Sequence, residues 1–151
     1  MQQANAVIIL MFFLLNSCSD KFDVNGIFEK NDEEIIQYIK QNPDKIKGRY
    51  ILRGPNQKSS DEMEGKLSLL YISIIKQKEE VALFLIGSGA EVNYVNQLGF
   101  TPLHLSVRRG NLRVSQSLIE AGANFNTINH EGVSPKEIAK QYWPEIYKLM
   151  R

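Results

Sequence analysis

From its middle onward the chain repeats itself every thirty-three residues. Gly99 recurs as Gly132, Thr101-Pro102 as Ser134-Pro135 and Leu105-Ser106 as Ile138-Ala139. Stepping back by the same interval, Gly122-Ala123 answers Gly89-Ala90, Asn126 answers Asn93, Leu118 answers Leu85 and Val114 answers Val81. A unit this short cannot bury its own apolar face, so the period predicts stacked units that cover one another. Three follow, at 63–95, 96–128 and 129–151. Within the middle one, Thr101 can cap a helix and Pro102 fits its first turn, where a missing N–H costs nothing. Leu103, Leu105 and small Ser106 then suit a packing face, Val114, Leu118 and Ile119 fall at helical spacing, and Gly122 suits a left-handed helix end.

The middle unit, "NQLGFTPLHLSVRRGNLRVSQSLIEAGANFNTI", carries the Thr101-Pro102-Leu103-His104 signature and resembles the ankyrin-repeat family. That resemblance implies an all-α solenoid of about four helix-turn-helix units. The first full unit departs from the pattern with Ser68-Leu69-Leu70-Tyr71 at the signature and Gln77 at the glycine between helices. The last places Trp143-Pro144 at its inter-helix turn. Upstream, Glu33-Glu34-Ile35 answers Glu79-Glu80-Val81 at an interval longer than one period. The repeat domain therefore spans 22–151, with an N-terminal cap at 26–44 and an enlarged inter-repeat finger at 45–62. β-prone Tyr50-Ile51-Leu52 followed by Gly54-Pro55 predicts a hairpin or a mobile loop there.

At 151 residues and 43% apolar, the chain suits one domain. Its net charge of +1 removes the electrostatic reason to expect nucleic acid as a partner. A single cysteine excludes an internal disulfide framework and a Cys-rich zinc site. That cysteine, Cys18, follows an uncharged leader whose apolar run, Ala6 to Leu15, would reach about 15 Å as a helix, half of a hydrocarbon core. Residues 1–17 read as a signal peptide of lipoprotein type, with an ordinary cleaved signal, in which Cys18 is incidental, or a short buried apolar helix as alternatives. Leu15-Asn16-Ser17-Cys18 resembles the lipobox of bacterial lipoproteins. The resemblance implies lipidation of Cys18 as the first mature residue, an outer-membrane lipid anchor and a periplasmic location.

No constellation for catalysis stands out. Ser17, Ser19, Ser59 and Ser60 lack a nucleophile-elbow context, and the carboxylates at 32–34, 61–64 and 79–80 fit solvated helix starts. The expectation is no enzyme, no cofactor, no metal site and no small-molecule substrate; an envelope enzyme with an unrecognised site is the alternative. The family resemblance implies instead that His104 bridges adjacent turns, and that a protein partner binds at turn tips and on the concave face of the first helices. Those places map to Tyr94, Gln97, Leu98, Phe100, Arg108, Arg109, Ile128, His130, Val133 and Tyr142. Leu98 and Phe100 beside two arginines read as a mixed apolar and basic patch; alternatively, Phe100 folds against its neighbouring turn. A toxin inhibitor and an envelope scaffold both fit such a module.

Overall fold

A computed structural model of the chain describes residues 23–51 and 67–151. The leader 1–17, Cys18 and the finger beyond Ile51 lie outside the described residues. Among the described residues eight short helices follow one another as α1 (Val24–Phe28) and α2 (Asp32–Gln41), α3 (Leu69–Ile75) and α4 (Glu79–Gly87), α5 (Pro102–Arg108) and α6 (Leu112–Glu120), and α7 (Pro135–Tyr142) and α8 (Pro144–Lys148). Helices this short are marginal alone, so their stability comes from packing. The first helices α3, α5 and α7 pack in one row and the second helices α2, α4, α6 and α8 in another, giving an all-α ankyrin solenoid.

The starts of α5 and α7 are dictated locally. Thr101 Oγ1 accepts from the His104 backbone N–H at 3.3 Å, and Ser134 Oγ caps α7 in the same way through Glu137. Both helices carry proline at the first position. The core between rows is aliphatic: Leu69, Leu70, Ile72, Leu85, Leu103, Leu118 and Ile146 are fully buried. Ser106 and Ser115 are small enough for α5 and α6 to approach closely, with Ser115 Oγ donating to Ser106 Oγ at 3.0 Å. Lys136 and Lys140 stand in α7 where α5 has Leu103 and Val107, both fully buried in the stack.

Two boundaries differ from the sequence reading. The cap begins before Gly26: Asp23 accepts from Asn25 N at 3.1 Å and starts α1 at Val24, whose side chain and that of Phe28 are buried. At the other end of the cap, Pro43–Lys47 forms a 3₁₀ turn, and β1 (Arg49–Tyr50) then pairs antiparallel with β2 (Leu67–Ser68). Of the β-prone residues Tyr50 thus pairs with the start of the next repeat, with Arg49 opposite Ser68 and Tyr50 opposite Leu67. Arg49 also pairs with Glu91 and lies over the Tyr94 ring, 5.0 Å from its centroid.

At the turn between α3 and α4, Gln77 occupies the left-handed region with φ 58°, where the next unit has Gly110 at φ 65°. Sequence distinguishes the two turns, yet the backbone keeps one geometry. Gln77 N–H donates to Ile74 O, as Gly110 N–H does to Val107 O. The last unit abandons that geometry: Trp143 alone joins α7 to α8, and its indole lies over Gly110 of the unit before.

Candidate protein-binding face

The two turn tips at Asn96 and Asn129 are each organised by that asparagine. Asn96 Oδ1 accepts from the backbone N–H of Leu98 at 2.9 Å and of Phe100 at 2.8 Å. Asn129 Oδ1 does the same for Glu131 and Val133, each at 3.0 Å. Short polar side chains of this kind satisfy tight-turn donors that would otherwise need water. Successive tips are then joined by a main-chain bond from His130 N to Leu98 O at 3.0 Å.

His104 lies beneath this pair of tips and is fully buried. Its Nδ1 accepts from Thr101 N–H at 3.0 Å, which leaves the proton on Nε2 to donate to the Val133 carbonyl at 3.1 Å. One neutral imidazole therefore satisfies a donor in its own turn and an acceptor in the next. Burial pushes its pKa below the ordinary value, against the pull of the Val133 carbonyl. Tyr71 does comparable work one unit earlier, its buried phenol oxygen accepting from Asn96 Nδ2 at 2.8 Å. Sequence reading missed Tyr71 and the two asparagines. The thirty-three-residue step aligns Tyr71 with His104 and Asn96 with Asn129, and that alignment was the available signal.

The expected contact residues divide. Leu98 (58% exposed), Ile128 (64%) and Tyr142 (60%) present apolar surface to solvent, and Gln97 and His130 are exposed beside them. Val95, at the position of Ile128 one unit earlier, is 49% exposed. Phe100 is a correction: it is buried, its ring edge-on to His104 at 5.5 Å between centroids, so it supports the turn from within. Tyr94 is likewise buried, edge-on to Tyr71 at 5.4 Å, because it fills the junction covered by Arg49. Val133 is half-buried, and its main chain is engaged by Asn129 and His104.

The two arginines also part company. Arg108 is exposed, its guanidinium carbon over the Phe100 ring at 5.2 Å from the centroid. Arg109 turns the other way, and its Nη1 donates to Ile74 O at 2.9 Å, tying α5 to the end of α3. It borders a half-open cleft of about 210 Å³ with Gln77, Glu79 and Asn111 at the inter-helix turns, the opposite end of the helices from the tips. Glu79 there accepts from Asn111 Nδ2 at 2.9 Å and Arg113 Nη1 at 2.6 Å, so its carboxylate is committed to the stack. Among the described residues, no group of His, Cys, Asp and Glu is placed to hold a metal ion, and no helix is long and apolar enough to cross a membrane.

A family model describing three copies of the ankyrin repeat matches residues 27–129. Rabankyrin-5 of Mus musculus is 44% identical over 62 residues, covering 41% of this chain. The chain spans only 5% of that protein's length. Ankyrin repeats are generally protein–protein interaction modules. With a helix-turn-helix stack, asparagine-built turns and a histidine stapling one turn to the next, the chain belongs to the ankyrin-repeat family.

Proposed function

We propose that this chain is a non-catalytic protein-binding module, exported and held in the bacterial envelope by a lipid on Cys18. The observation that carries the binding reading is the exposed apolar set Val95, Leu98 and Ile128 at the turn tips, with Tyr142 exposed at the far end of α7. None of these side chains is needed to fill the core, and the tips beneath them are fixed by hydrogen bonds. A partner covering them would gain apolar burial with little ordering cost. The anchoring reading rests on the position of the single cysteine directly after an apolar leader.

Capture from a detergent-treated bacterial envelope extract tests the first part, with wild type beside Leu98→Ser, Ile128→Ser, Tyr142→Ser. A protein retained by wild type and lost with the folded triple variant is expected. Equal retention by both removes the face. For the anchor, Cys18→Ser should shift the mature mass and release the protein from the membrane fraction. An unchanged mass and fractionation would refute lipidation.

A further inference from the structure

Where α5 meets its turn tip, Arg108 sets an exposed cation over the ring of Phe100. Resting on the protein-binding reading above, we propose that the partner segment presents a carboxylate to Arg108, flanked by apolar side chains that cover Leu98 and Ile128. Arg108 makes no ion pair among the described residues, whereas Arg113, Lys76, Lys78 and Arg49 all do. Its guanidinium rests on an aromatic face, and that ring is itself held edge-on against buried His104. The N–H edge of a guanidinium matches the two oxygens of a carboxylate. Glu131, on the next tip, accepts from Asn129 Nδ2 at 3.5 Å. The apolar neighbours come from the same turn, at Leu98, and from the next, at Ile128, joined through the bond from His130 N to Leu98 O.

The test uses the full chain, purified in detergent, on an array of synthetic peptides. Each peptide has a Leu/Tyr/Ala background and one central Glu, Gln or Lys. Wild type should be retained at least about tenfold more strongly by Glu peptides than by Gln or Lys peptides. Arg108→Glu should reverse the preference toward Lys, and Arg108→Lys should lose most of the discrimination, since an ammonium has no planar fork. Thermal unfolding of each variant confirms that it is folded. Equal retention of all three peptide classes, no retention of any, or a Glu preference that survives Arg108→Glu overturns the proposal. So does Arg108-dependent sedimentation with phosphatidylglycerol vesicles without peptide retention, which would assign the face to a lipid surface. An envelope protein lost with Leu98→Ser, Ile128→Ser, Tyr142→Ser but kept by Arg108→Glu would remove the carboxylate while leaving the protein-binding reading standing.

Discussion

His104 Nε2 stands 3.1 Å from the carbonyl oxygen of Val133, and that contact joins the first helix of one repeat to the turn of the next. Replacing His104 with alanine removes this bond and leaves Thr101 N–H without the imidazole acceptor it has at 3.0 Å. Orphaning buried polar groups costs about 1–3 kcal/mol each, so His104→Ala should be among the most destabilising single changes in the chain. Urea unfolding followed by circular dichroism measures it. A loss below about 1 kcal/mol would show that the bridge contributes little.

The same residue gives stability a pH dependence. Folding lowers the His104 pKa, because the ring is buried and its Nδ1 must stay unprotonated to accept from Thr101. The unfolded chain takes up a proton near about pH 6.5, where the folded chain resists it. The His104 contribution is therefore full above that value and declines as pH falls through the window down to the folded pKa. Urea midpoints between about pH 5.5 and 7.5 should fall toward the acid side, and His104→Asn should flatten that slope. Parallel curves for the two proteins would refute the assignment.

Gln77 holds a positive φ that an L side chain adopts at a cost of about 1–2 kcal/mol, part of which glycine would return as extra freedom in the unfolded chain. Gln77→Gly should stabilise by about 0.5–1 kcal/mol. A lowered melting temperature would mean that the glutamine side chain contributes more in this turn than its backbone costs.

Gly110→Ala should act in the opposite direction. Its φ is 65°, and an added Cβ would come within 2.5 Å of the Trp143 ring. The backbone alone costs about 1–2 kcal/mol, and the indole must move. Trp143 is the chain's one tryptophan, so its emission should shift to the red as the ring becomes more exposed. An unchanged spectrum with unchanged stability would contradict the packing.

Asn96→Ala should cost about 1–3 kcal/mol, because Leu98 N, Phe100 N and the Tyr71 phenol all bond its amide. Amide hydrogen exchange at Leu98 and Phe100 should accelerate together. Acceleration at only one of them would mean that the turn does not depend on this side chain.

The helix starts were legible because the Thr-Pro and Ser-Pro pairs combine a capping oxygen with a fixed φ, and both recur at one interval. Gln77 could be placed by its alignment with Gly110. Phe100 admits two readings in sequence, an exposed patch or a ring folded against its turn, and only the folded turn brings that ring under Arg108 and against His104. Arg108 and Arg109 are adjacent in sequence, so nothing local separates them. Their positions around α5 send one over Phe100 and the other to Ile74. Tyr71 escaped notice because a phenol replaces an imidazole while still reaching the next turn.

The pairing of Arg49 with Ser68 and Tyr50 with Leu67 holds the two ends of the inter-repeat insertion side by side at the edge of the stack. Closing a loop between fixed, adjacent ends costs only slightly more as the loop lengthens. That edge is consequently a natural port for grafting: a reporter peptide, a fluorophore attachment sequence or a small folded domain inserted after Ile51 would be carried without altering the helix rows.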